Sequence, residues 1–368
     1  MIERPRITVC GAGNAGVSIA ADCSLKGFDV TLFELEKQAP QIKPIMEAGG
    51  IEVSATSSTL SGKTGYAALK CASVDPQEAT AGADVIMITV PAMYHTVFFD
   101  TLAPYVKDDQ IILFNTSYWA CLRHAKKTKK IGKKIILAES NTMPYAAFRE
   151  SGNKVHISRS KQFFNVASFP GNSNDGVYRI LHKIYPQFQK AANVFEIDIA
   201  SGGNPAMTVP MVLPVAGYYF DRYMGGKLYA DATAMGTRLM KAYDDDRKNL
   251  AVRLGCRNYE SQLEYYTHVY GATGDDMGQI MRKSNLIDWW ATCDYIKQLI
   301  EEDIVFAYVP MVRLSEALEI KIGATAGMVE LMGLMLNEDY WCKGASLDDM
   351  GLARLNLSQI KQFVMTGQ

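Results

Sequence analysis

Residues 11–16 read Gly11-Ala12-Gly13-Asn14-Ala15-Gly16, a GxGxxG run between an apolar segment, ITVC, and a stretch with helical spacing. Each glycine has a chemical use at such a turn. Gly11 permits a tight reversal, Gly13 lets the backbone approach a pyrophosphate, and Gly16 lets helix and strand pack closely. Amides at the helix start, including those of Asn14 and Ala15, then face the phosphates. Glu34 closes the second apolar run, where an acidic residue holds a ribose 2′-hydroxyl. No arginine follows it closely, and Lys37 is the nearest cation. A carboxylate there opposes a 2′-phosphate, so the expected cofactor is NAD in preference to NADP.

A second group of residues stands past later strand ends. Pro91, His95, Asn115 and Glu139 follow or close apolar runs and are expected to face the crevice where a doubly wound sheet binds ligands. Residues 203–217, GNPAMTVPMVLPVAG, carry three prolines, and the segment 204–214 is expected to be a crevice-lining hinge between two domains. Of the five histidines, His95 and His268 are candidates for proton transfer, while His124, His156 and His182 fall in segments that read as surface. The basic run from Arg123 to Lys134 reads as a solvated helix face.

The elements that must position these residues alternate in the first half. ITVCGAG, DVTLFELE, residues 83–90 of ADVIMITVPAMYH, QIILFNTS and KKIILAESNT are strand patterns, and NAGVSIAADCSLKGF is helical. That is the pattern of a Rossmann domain, a doubly wound parallel α/β sheet. Past residue 200 the strand signals fade into helical patterns such as RLMKAYDDDRKNLAVRLG and GATAGMVELMGLMLNEDYW. The expected organisation is therefore a dinucleotide-binding domain over 1–200 and an all-α substrate and dimerisation domain over 201–368. Tyr218, Tyr219, Tyr223, Tyr265, Tyr266, Tyr270, Trp289, Trp290 and Tyr295 are expected as core or dimer contacts.

Composition narrows the partner. With 38 Lys+Arg against 39 Asp+Glu in 368 residues, nothing in the net charge favours nucleic acid or an anionic membrane. A small molecule fits better. Seven scattered cysteines without CxxC spacing point to neither a zinc site nor a disulfide framework, so no metal is expected and a reducing cytoplasm is. No export signal opens the chain, and no run reaches the ~18 apolar residues a spanning helix needs.

Together, VCGAGNAG, ADVIMITVPAMYH, AESNTMPYAAFR, NP-x-x-x-x-P, IEEDIVFAYVPMVRLSEA and YWCKGASLDDMGL, in this order over most of the chain, resemble the octopine and opine dehydrogenases. The resemblance implies a Rossmann domain followed by a helical one, and a homodimer through the latter. It implies reductive condensation of an amino acid or amine with a 2-oxo acid by NAD(P)H, and the reverse oxidation. It also implies a histidine–aspartate pair: Asp303 occupies the aspartate position, but Thr208 stands where the histidine would. Thr208 is then a candidate to bind substrate or water, with Asp303, a tyrosine or His95 handling the proton. Glu139, Thr142, Tyr145, Asn204 and Thr208 are the implied substrate contacts, and Arg149 could clamp a carboxylate. Oxidation of an alcohol or 2-hydroxy acid on the same scaffold, or dinucleotide sensing without turnover, are the rival expectations.

Overall fold

The computed structural model describes residues 3–203, 207–222, 225–283 and 290–368. The chain divides into two compact units, Met1–Asn193 with Met365–Gly367, and Val194–Val364 with Gln368. Among the described residues, no helix is long and apolar enough to cross a membrane.

The first unit holds twelve strands: β1 (Ile7–Cys10), β2 (Val30–Phe33), β3 (Gly50–Ala55), β4 (Gly65–Ala68), β5 (Cys71–Ser73), β6 (Val85–Ile88), β7 (Ile111–Asn115), β8 (Ile136–Ser140), β9 (Tyr145–Arg149), β10 (Lys154–Ser160), β11 (Phe164–Phe169) and β12 (Phe188–Lys190). Eight of them form one sheet in the order β12-β11-β8-β7-β6-β1-β2-β5. From β5 to β8 all neighbours are parallel, and β11 turns antiparallel to β8. β1 and β6 are unbroken buried runs, as a strand covered on both faces requires. The direction of connection reverses between β1 and β6, which is where an open parallel sheet binds its ligand.

A second sheet, β4-β3-β10-β9, was not foreseen. It lies against helix Asn14–Leu25, whose other side meets β1 and β2. The helix is thereby enclosed on two sides, which explains why NAGVSIAADCSL has no polar stripe: Gly16 to Cys23 are all buried. Even Asp22 is buried there, accepting from the Tyr145 hydroxyl at 2.5 Å and the Ser61 amide at 3.1 Å.

Helices alone build the second unit among its described residues, apart from one isolated bridge between Gly226 and Ala291. Its long helix Ala234–Leu254 starts on Thr233, whose side chain caps the Gly236 amide. The helix packs against Thr208–Val212, Gly323–Leu336 and the π-helical turn Glu196–Ala200. The proline-rich segment is helical from Thr208, and the two compact units divide at Asn193/Val194. Tyr219, Tyr265 and Tyr266 are buried, while Tyr218, Trp290 and Tyr295 are exposed. Tyr223, Trp289 and the Tyr270 side chain lie outside the described residues.

Arg247 fixes this unit internally. It is fully buried, paired with Asp244 at 2.6 Å, and donates to the carbonyls of Ile199 (3.0 Å) and Ser201 (2.5 Å) at the end of the π turn. Arg247→Met should cost about 3–5 kcal/mol, because it strands the Asp244 charge in the core. Denaturant titration, with urea or guanidinium, measures that loss against the parent chain.

Candidate active site

The glycine loop follows β1 and opens helix Asn14–Leu25. Gly11 has φ +104°, a conformation that glycine adopts without strain. A Cβ on Gly16 would fall onto the Gly11 carbonyl oxygen and lie 2.7 Å from Thr89 Oγ1, so only glycine fits. At Gly13, by contrast, a Cβ would meet nothing within 4 Å. The first turn holds no acidic residue and Gly13 supplies no side-chain cap. These three observations fit a dinucleotide pyrophosphate: a turn closed on its protein side, open above Gly13, and with amide donors at a helix N-terminus.

Glu34 sits just past β2, buried, with Oε2 accepting the Ala12 amide at 2.7 Å and Oε1 the Leu35 amide at 2.8 Å. Burial raises its pKa, opposed by those two amides and by the nearby Arg149 cation. Arg149, at the end of β9, does not stand free to clamp a carboxylate. Its guanidinium donates to the carbonyls of Ala12 (2.6 Å), Gly152 (2.8 Å) and Gln41, and its own amide donates to Asn14 Oδ1 at 2.8 Å. The second sheet thus holds the glycine loop in place from above, through a residue that sequence reasoning had assigned to substrate.

The strand-end residues separate into two groups. Pro91 is partly exposed, at the turn after β6. His95 is fully buried, with Nε2 3.1 Å from the Val90 carbonyl and its ring 5.2 Å from Phe114; desolvation first, and then Arg123 and His124, hold its pKa well below the usual value. The buried imidazole supports the Val90 carbonyl. His124, expected at the surface, is buried too, between Phe99 and Phe114, with its pKa pushed down to about 3 by burial and then by Arg123. The aromatic surroundings that decide this come from distant strands and helices, so the surrounding lysines misled the reading.

Glu139 is buried, and its Oε2 accepts the Cys121 amide at 2.9 Å in the first turn of helix Ala120–Ile131. A carboxylate there satisfies a helix N-terminus. Tyr145 is likewise turned inward, bonded to Asp22 and 3.4 Å from the Tyr185 hydroxyl. Asn115, Ser140 and Thr142 instead form one polar line across the carboxyl ends of β7 and β8. Ser140 Oγ lies 2.5 Å from Asn115 Oδ1 and 3.1 Å from the Thr142 carbonyl. Lys161, which sequence reasoning passed over, donates its ammonium to Thr142 Oγ1. The residue is only partly buried, yet its ammonium is enclosed enough that desolvation lowers its pKa to about 7.

In the second unit, Thr208 and Asp303 meet as the resemblance implies: Asp303, 1% exposed, accepts the Thr208 backbone amide at 2.9 Å. Thr208 makes this contact through its main chain, not its hydroxyl. Asp303 closes helix Cys293–Asp303 and enters the π-helical turn Ile304–Tyr308, a geometry frequent at functional positions. Tyr243 and Tyr308 stack at 4.7 Å, and burial first, with Asp303 adding to it, keeps both hydroxyls protonated. His268 is occupied by Glu260 at 2.9 Å on an exposed edge. Asn204 lies outside the described residues.

An opine dehydrogenase from Arthrobacter sp. (strain 1C) is 24% identical over 371 residues, 99% of this chain and 100% of that protein. The similarity to an opine dehydrogenase therefore runs over the whole chain. The octopine dehydrogenase of Pecten maximus is 25% identical to this chain over 206 residues, 53% of this chain and 51% of that protein. Residues 6–130 match the family model for the NAD-dependent glycerol-3-phosphate dehydrogenase N-terminus. Among solved structures, octopine dehydrogenase in complex with NADH and agmatine aligns with TM-score 0.76 at 18% identity, over 99% of this chain and 98% of that one. Yersinopine dehydrogenase with NADP+ bound aligns with TM-score 0.72 at 14% identity, over the whole of both chains. The fold is the one these dehydrogenases share.

His95→Gln keeps a donor for the Val90 carbonyl and removes the imidazole. Turnover should stay within about threefold of the parent, with an unchanged pH profile, since a positioned proton donor would be worth ~10² or more; steady-state rates across pH 6–9 check this.

Proposed function

We propose that this chain is a nicotinamide-dependent oxidoreductase of the opine dehydrogenase type. It condenses an amino acid or amine with a 2-oxo acid and reduces the resulting C=N bond, or runs the reverse. The observation that carries the reading is Asp303, a buried carboxylate held by the Thr208 amide in a chain alignable from end to end with an opine dehydrogenase.

The chemistry assigns work to particular residues. The amine nitrogen attacks the oxo carbon and, with one proton taken up from solvent, water leaves, giving an iminium that bears a positive charge on nitrogen. Its carbon then receives a hydride, which neutralises it to the secondary amine. The nicotinamide supplies that hydride when bound. Amides of the Gly11–Gly16 loop and the helix N-terminus hold the pyrophosphate, and Glu34 the adenosine ribose. Asp303 carries the negative charge that favours the iminium over its neutral precursors. Tyr243 and Tyr308, held protonated by burial, can donate a hydrogen bond but do not release a proton at neutral pH. Without an imidazole at 208, proton exchange with the amine passes to solvent or substrate, so this chain should be slower than a histidine-bearing relative.

NAD is the preferred cofactor in this reading, because the Glu34 carboxylate opposes a 2′-phosphate. NADH should bind at least about tenfold more tightly than NADPH, about 1.4 kcal/mol by fluorescence titration. A homodimer formed through the helical unit would use the exposed Leu331, Leu334 and Met335 of helix Gly323–Leu336, and sedimentation tests it.

The deciding assay follows NADH oxidation with 2-oxo acids, amino acids and simple amines, singly and in pairs. Turnover that requires both partners sustains the proposal. Thr208 favours one second reading, reduction of an oxo acid to the 2-hydroxy acid, and turnover with the oxo acid alone would select it. In the paired assay, Asp303→Asn should lower kcat by about 10²-fold or more while the NADH dissociation constant stays unchanged.

A further inference from the structure

Lys161 stands in the short loop between β10 of the second sheet and β11 of the first, directly beyond the carboxyl end of β8. Its backbone is pinned, since its amide donates to the Pro144 carbonyl at 2.9 Å. Its side chain ends on the Thr142 hydroxyl, continuing the line Asn115–Ser140–Thr142.

What distinguishes this lysine is its company. Lys127, Lys134 and Lys190 each have an aspartate at 2.6 Å, in Asp100, Asp109 and Asp175. Among the described residues, no carboxylate lies within ion-pair distance of Lys161, and its side-chain partner is a neutral hydroxyl. The acids on neighbouring elements are engaged elsewhere: Glu139 of β8 holds the Cys121 amide, and Asp22 takes the Tyr145 hydroxyl of β9. An enclosed ammonium without a counter-ion is costly unless something else supplies the negative charge.

We propose that Lys161 is a substrate-binding residue, its ammonium positioned on Thr142 at the carboxyl end of β8 to receive the carboxylate of the small-molecule substrate. The inference rests on the functional reading above, in which both the 2-oxo acid and the amino acid carry a carboxylate. A charge-assisted contact of this kind also orients the substrate, since one end is fixed while the other reacts. Desolvation alone lowers the group's pKa to about 7, so free enzyme holds both protonation forms at neutral pH and a bound carboxylate selects the charged one.

The test uses the full chain with NADH bound. Lys161→Met should raise KM for either pyruvate or the amino acid by about 10 to 100-fold, the worth of one charged hydrogen bond. KM for a simple amine and the NADH dissociation constant should stay within about threefold. Lys161→Arg should recover most of the loss, which a merely structural role would not show. Independently, acylation of Lys161 by acetic anhydride at pH 7, read by peptide mass spectrometry, should be slowed by pyruvate or by L-alanine in separate arms, and the protecting arm names the carboxylate. Labelling unaffected by both probes, or KM values unaffected by Lys161→Met, overturns the assignment. If the parent enzyme reduces no oxo acid with any amine, the functional reading fails, and the protection arms alone then decide whether Lys161 binds a carboxylate.

Discussion

The enclosure of helix Asn14–Leu25 between two sheets is the constraint on which the first unit depends. One side packs on β1 and β2, the other on β3, β4, β9 and β10, so the helix cannot shift without disturbing both layers. Its N-terminus follows directly on the glycine loop, and the close approach of Gly16 to the Gly11 carbonyl fixes how helix leaves strand. Arg149 and Tyr145, both on β9, tie the second sheet to this helix from opposite ends. Arg149 holds the loop carbonyl of Ala12 and Tyr145 holds Asp22, two turns further on. The second sheet therefore stabilises the cofactor loop.

The helical unit is organised around buried charges in place of a sheet. Arg247 gathers carbonyls from the end of one π turn and is neutralised by Asp244, while Asp246 accepts the Thr325 amide and hydroxyl at the start of helix Gly323–Leu336. Asp303 opens the other π turn and holds the Thr208 amide. In each case a carboxylate or guanidinium satisfies backbone groups that irregular helix ends would leave without partners. Because the Thr208 contact runs through the main chain, this arrangement does not depend on which side chain stands at 208.

How far the site was legible depends on how local its determinants are. The glycine loop, Glu34 and the parallel strands were legible because turn chemistry and uninterrupted apolar runs act over a few residues. The second sheet was not, since β3 pairs with β10 across about a hundred residues and neither is an uninterrupted apolar run like β1 or β6. With it were lost the true partners of Arg149, Tyr145 and Lys161. Of the three consecutive aspartates 244–246, Asp244 and Asp246 are buried and Asp245 pairs outward with Lys241, a difference that residue type alone does not announce.

The sequence by itself determined the Rossmann order of the first unit, the helical character of the second, the cofactor loop, and the family likeness that puts Asp303 beside position 208. Tertiary structure alone decided which of the strand-end polar residues are taken up by the core. His95, Glu139 and Tyr145 stand at or near strand ends, where local pattern suggests a ligand, but each is captured by a group distant in sequence: a ring, a helix terminus or a buried carboxylate. Residue type sets what a side chain can bond to. Which partner lies within reach is set by long-range packing, and that choice separates a reactive group from a structural one.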